Sequence, residues 1–157
     1  MPNMRIAVLL AATITTGMMA GLFYAYSISV MPALREADAA VFTEVMQRIN
    51  KAITNGWFFL CFAGAAVFSA TATVLYAISG PAEVLVPTAI ALVLYTGQLV
   101  LTAALHIPLN NALDAAGRTD PAATRRAFEP RWVPWNHVRT VLCLGAFVAL
   151  CWTLTRV

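Results

Sequence analysis

Charge is what this sequence has least of. Only 11% of its 157 residues are Asp, Glu, Lys or Arg, against roughly a quarter in soluble domains, and no charged residue lies between Arg5 and Arg35. A chain that is 61% hydrophobic carries more apolar side chain than a single water-soluble core can hide, which excludes an ordinary aqueous domain and points to lipid as the solvent. Its length fits one folding unit rather than two. Cysteine is scarce too. Cys61, Cys143 and Cys151 sit apart inside apolar runs, and without a CxxC pair neither a dithiol redox centre nor a zinc knuckle is available. Ten Lys and Arg against seven Asp and Glu give a formal charge of +3, yet the basic residues are scattered between apolar blocks, which argues against nucleic acid as a partner. No fingerprint of a haem or dinucleotide cofactor is present. Histidine is limited to His106 and His137.

What the sequence does have is four apolar runs, at about residues 6–29, 57–79, 84–105 and 138–155. A helix needs roughly 20 residues to cross the hydrocarbon layer, and backbone amides in lipid must be hydrogen-bonded within the segment, so each run is expected to be a spanning helix. The expected fold is all-α: an integral membrane four-helix bundle forming one domain over residues 1–157. The first run follows a basic residue as a cleavable leader does, but it exceeds the about 7–15 apolar residues of a leader and is read as a retained span. The break at Ser79-Gly80-Pro81 makes the second and third spans antiparallel neighbours. Gly17-x-x-x-Gly21 and Ala66-x-x-x-Ala70 offer small residues for close helix approach.

The two long connections, residues 30–56 and 106–137, carry structure of their own. In the first, Val41, Phe42, Val45, Met46, Ile49 and Ile53 recur at helical spacing opposite Glu44, Gln47, Arg48 and Lys51. This is an amphipathic helix starting near Asp38, suited to lie on the membrane or to cap the bundle. In the second, Asp120-Pro121 reads as an N-cap and first helical residue, and Pro130 is expected to end a short helix. Most of the arginines lie in these connections, so the positive-inside rule places both in the cytoplasm and both termini outside the cell membrane.

With an even number of spans, both long connections share one membrane face, and unusual polar residues converge there. Tyr24, Tyr26 and Ser29 close the first span, and Asn55 and Trp57 open the second. Gln98, Thr102, His106 and Asn110 follow at intervals of four, a ladder down one helical face, while Trp135, Asn136, His137 and Arg139 precede the last span. Each also has a plain structural use: interhelical bonding for Gln98 and Thr102, a headgroup anchor for Arg139, an interfacial aromatic belt for Tyr24, Trp57 and Trp135. His106 and His137, with Asp114 or Glu129, supply the residue types of a two-histidine, one-carboxylate iron site, although no recognised metal spacing accompanies them.

Two stretches resemble a known family. The run His106-Ile-Pro108-Leu-Asn110-Asn111-Ala-Leu113, then Trp132-x-x-Trp135-Asn136-x-x-Arg139-Thr140, is similar to the pattern of the anthrone oxygenase-like family of small four-span membrane proteins. Met31-Pro32-Ala33-Leu34 and Met46-Gln-x-Ile49-Asn50 fit it as well. The resemblance implies an enzyme that oxidises an anthrone to an anthraquinone in aromatic polyketide biosynthesis. Its matching positions here are Pro108, Asn110, Leu113, Trp135, Asn136 and Arg139, with His106 adjoining.

On that reading His106, Arg139, Asn136 and Asn110 are the catalytic set: a base that takes a methylene proton and donors that stabilise the resulting oxyanion. Tyr24, Trp57, Gln98 and Trp135 would bind the substrate. Dioxygen is the expected co-substrate, with no bound cofactor, and the partners are the lipid bilayer and a lipophilic aromatic small molecule. A homo-oligomer is compatible with the sequence. Two alternatives stay open: a non-catalytic membrane module that binds a lipophilic molecule or a partner protein, and a metal-dependent oxygenase using His106 and His137.

Overall fold

The computed structural model describes residues 2–157, apart from the side chains of Pro2 and Ser79. It is all-helical among the described residues, with four helices long and apolar enough to cross a membrane, as the hydropathy predicts. α1 (Pro2–Ala25), α4 (Gly56–Ser79), α5 (Ala82–Leu101) and α7 (Pro121–Leu154) run up and down in alternation. Three shorter helices gather at one end: α2 (Met31–Arg35), α3 (Ala39–Ile53) and α6 (Ile107–Ala115). Neighbours around the bundle are α4, α1, α7 and α5, with α5 closing back on α4. This is the four-helix membrane bundle expected from the sequence, and the chain is a multi-pass membrane protein.

Close approach depends on one of the small-residue pairs. A Cβ on Gly17 would stand 2.7 Å from the Phe147 ring, whereas one on Gly21 would meet nothing. Of that pair, Gly17 is the residue that makes room for the Phe147 ring of α7. On α4 the packed face carries Cys61, Ala65, Ser69 and Ala72, and Ala66 and Ala70 sit at its edge. The core of the spans includes Leu9, Met19, Phe23, Tyr95, Cys143 and Leu150.

Both expected boundaries in the second long connection need correction. The third span does not stop at residue 105 but continues through α6, and Pro130 does not end a short helix: α7 passes through Pro130 and Pro134 into the fourth span. A proline inside a helix costs about 3 kcal/mol. The continuous helix keeps Phe128 and Trp132 buried on one face, each a burial of about 1.5–3 kcal/mol, so packing offsets the lost backbone bonds. Asp120 does cap α7, accepting from the Ala123 amide at 2.9 Å.

Prolines also shape α1 and α5. Each widens into a π turn, at Tyr26–Val30 and Thr102–His106, just before Met31-Pro32 and Ile107-Pro108. The amide of Met31 bonds to Tyr26 and that of Ile107 to Thr102, a spacing of five instead of four. A proline ring clashes with the carbonyl four residues back and offers it no N–H; the wider turn displaces that carbonyl and the helix continues.

α3 caps the bundle. Phe42 and Met46 are buried with Met31, Leu34, Leu113, Phe128 and Trp132 in a second, smaller core. The cap is fastened by hydrogen bonds to backbone: Gln47 Nε2 donates to the carbonyls of Leu113 and Gly117 at 2.9 and 3.2 Å. Arg125 donates to the Ala37 and Arg35 carbonyls at 2.7 and 2.9 Å and to Glu129 at 2.6 Å. Its guanidinium also covers the Phe42 ring at 4.6 Å.

Candidate functional site

Beneath that cap lies a cavity of about 320 Å³ walled by α1, α3, α4, α6 and α7 and by the two π turns. Its walls are apolar, with Leu22, Met46, Phe58 and Phe62 among them, and its two charged lining residues are Arg139 and Asp114. They differ in depth. Arg139 is 8% exposed, whereas Asp114 stands in the open at the mouth.

Arg139 is held on α7 by a chain of neutral groups. Its Nη2 donates to Asn136 Oδ1 at 2.7 Å. Asn136 in turn donates from Nδ2 to the Phe23 carbonyl at 3.2 Å and to Ser27 Oγ at 3.0 Å. Ser27 shares a bond with Thr140 at 3.1 Å, and Thr140 donates to the Asn136 carbonyl at 2.8 Å. The guanidinium lies over the Phe23 ring at 3.9 Å and near Trp132 at 5.6 Å. No carboxylate pairs with it among the described residues, and its Nε has no partner. A buried cation normally has a counter-ion, because removing an ion from water costs several kcal/mol. Arg139 is thus a buried cation whose charge no carboxylate among the described residues neutralises.

His106 faces the same space from the π turn of the third span. It is 1% exposed, edge-on to Trp132 with ring centroids 5.3 Å apart. Neither of its nitrogens makes a well-formed hydrogen bond, although the backbone of Leu101 and of Trp132 lies within weak hydrogen-bonding reach. Trp132, touched by both His106 and Arg139, is fixed by Nε1 donating to Asn110 Oδ1 at 3.0 Å. Thr102 lines the cavity and donates to Gln98 Oε1 at 3.2 Å.

Of the residues expected to be catalytic, His106, Asn110 and Arg139 line the cavity and Asn136 stands directly behind Arg139. Asn136 orients the guanidinium and does not face a ligand. None of the four residues expected to bind substrate lines this cavity. Tyr24, Trp57 and Trp135 are 47, 80 and 43% exposed on the outside of the bundle, since each is one residue, about 100° of helix, from the inward neighbour Phe23, Phe58 or Asn136. Gln98 is buried behind Thr102 and does not line the cavity. His137 is exposed on α7 and so turned away from His106. Among the described residues, no three His, Cys, Asp or Glu side chains gather where they could hold a metal.

The residues that the sequence reading missed are Phe23, Phe58, Phe62 and above all Trp132. The signal for Trp132 was present: Trp132, Asn136 and Arg139 recur at i, i+4 and i+7 on one helical face, a relation that a last span expected to begin only at residue 138 conceals.

A family model described as anthrone oxygenase matches residues 57–149. That stretch holds His106, Asn110, Trp132, Asn136 and Arg139, and with them most of the polar cavity wall. No curated protein and no solved structure matches the chain.

Proposed function

Because the chain belongs to the anthrone oxygenase family, we propose that it is a membrane-embedded oxygenase that oxidises a planar, phenolic or anthrone-type substrate with dioxygen and no bound cofactor. One observation carries this reading: a buried guanidinium without a counter-ion and a buried imidazole without a well-formed hydrogen bond touch the same indole and face the same apolar cavity.

The chemistry follows from what those groups do. A flat tricyclic ketone with an acidic methylene enters between Phe58, Phe62 and Trp132. His106 accepts the methylene proton, and the electron pair delocalises onto the carbonyl oxygen, whose negative charge is balanced by Arg139 in a site shielded from water. The resulting electron-rich anion reduces dioxygen directly. Carbon–oxygen bond formation gives a peroxide anion, which takes back the proton from His106 to become a hydroperoxide and then loses water to leave a new carbonyl. One oxygen atom of dioxygen stays in the product and the other leaves as water. Asn110 fixes the Trp132 wall and Asn136 fixes Arg139.

The lipophilic substrate and the position of the cavity at one end of the spans suit supply from the membrane. The arginines of the cap support a cytoplasmic location for this end by the positive-inside rule.

The test is turnover of an anthrone by purified protein in detergent, corrected for autoxidation and run under labelled dioxygen. Quinone formation above the protein-free control, one labelled oxygen in the new carbonyl and loss of both in His106→Ala and Arg139→Ala are expected. No rate above the control would remove the enzymatic reading. Retention of the anthrone, unchanged, through purification would instead favour a binding module.

A further inference from the structure

The cavity is electrically polarised along its depth, and this limits the form in which a ligand can enter. The deep end holds Arg139 and His106, at 8 and 1% exposure. The exposed lining residues, which mark the mouth, include the apolar Phe59 and Ile107 and the polar Asn111 and Asp114. Asp114 is the one charged group there. No cation pairs with it among the described residues, and its only recorded bond is from Asn50 Nδ2 across the mouth at 3.3 Å.

A ligand that is already an anion must therefore pass an unpaired carboxylate and leave water before it meets Arg139. A neutral ligand faces neither barrier, and the aromatic and aliphatic rim favours it. We infer that Asp114 is a specificity residue: it screens the mouth against preformed anions, so that the site admits neutral, weakly acidic aromatic molecules and ionises them inside. The proton passes to a His106 nitrogen, the electron pair remains on the ligand oxygen, and the new charge forms beside Arg139. This rests on the proposed role of Arg139 and adds to it the charge state of the substrate class.

Binding alone tests the idea. 9-Phenanthrol, a neutral three-ring hydroxyarene, and phenanthrene-9-carboxylate, a permanent anion of similar shape at neutral pH, are compared by equilibrium dialysis against the purified protein in micelles, with empty micelles as blank. Wild-type protein should hold the phenol at least about tenfold more tightly, a difference of about 1.4 kcal/mol. Asp114→Asn, at an exposed position, should narrow the gap severalfold by strengthening carboxylate binding, and Asn111→Asp should widen it.

Equal affinity of the wild type for both probes overturns the inference, as does a gap that Asp114→Asn leaves unchanged. If the phenol binds and only the gap is indifferent to Asp114, the rim assignment fails while the proposed function stands. If neither probe binds, both fail.

Discussion

The two ends of this bundle treat polar side chains in opposite ways. Away from the cavity, hydroxyls are largely satisfied by their own helix: Thr13 donates to the Leu9 carbonyl, Thr88 to Val84 and Thr153 to Ala149, at 2.8, 3.0 and 2.9 Å. Such a bond makes a threonine nearly as tolerable in lipid as a valine and commits it to nothing else. The exceptions, the hydroxyls of Thr16 and Ser69, are small and neutral. At the cavity end the polar groups are larger. They bond across helices, as Asn136 does to α1 and Trp132 to α6, or have no partner for a buried atom, as with His106, Arg139 and Gln98. Buried polar groups without partners call for an explanation, and of the large ones here His106 and Arg139 both line the cavity.

Removing the buried charge breaks the contrast most severely. Arg139→Met should lower turnover by about 10²–10³-fold, the usual loss when a preorganised oxyanion donor is deleted. Its effect on folding should be small. Relief of the desolvation cost, several kcal/mol, opposes the loss of ring contacts, about 2 kcal/mol, and of a partner for Asn136 Oδ1, about 1–3 kcal/mol. Thermal unfolding in detergent should stay close to wild type while activity disappears. A collapse of stability in step with activity would make Arg139 a structural arginine.

The next test fills the anion site from within. Asn136 is a neutral acceptor, so it orients the guanidinium without neutralising it. Asn136→Asp would place a carboxylate 2.7 Å from Nη2 in the present geometry and give Arg139 the counter-ion it lacks. Affinity for a phenolic ligand should fall about tenfold or more, the scale of one lost charged hydrogen bond, with the helical fold intact by circular dichroism. Unchanged affinity would show that the ligand does not use the charge of Arg139. Asn136→Ala serves as the control: it also frees the guanidinium and should lower both affinity and thermal stability.

The sequence made the architecture legible and the site only partly so, for physical reasons. Four spans follow from length and hydropathy, because lipid admits so few alternatives. The ladder of Thr102, His106 and Asn110 was readable because one helix carries it. What failed was direction: Tyr24, Trp57 and Trp135 each sit next to an inward-facing residue, and an apolar sequence surrounded by apolar solvent gives little sign of which side is buried. Pro130 misled because a proline's local cost was weighed without the burial of Phe128 and Trp132 that outweighs it. The π turns were not read from sequence at all, although Met31-Pro32 and Ile107-Pro108 mark both.

The smallest expected effect sharpens the comparison from the other end. Thr153 is completely buried near the end of α7, as fully as His106, and by burial alone its replacement ought to matter. Its hydroxyl is satisfied by the Ala149 carbonyl one turn back, on a backbone acceptor that already serves the helix. Thr153→Val removes donor and polar atom together while keeping the branched shape, so no unsatisfied group is created. The change in stability should lie within about 0.5–1.5 kcal/mol, the net worth of an ordinary hydrogen bond, and anthrone turnover should be unaltered. Thr102→Val is the matched substitution at the cavity end. There the hydroxyl contacts a side chain, Gln98 Oε1, and lines the cavity, so its loss removes the donor to a buried amide oxygen and should weaken ligand binding measurably. If the two substitutions behave alike in both stability and binding, the two ends of the bundle do not differ in the way their hydrogen bonds indicate.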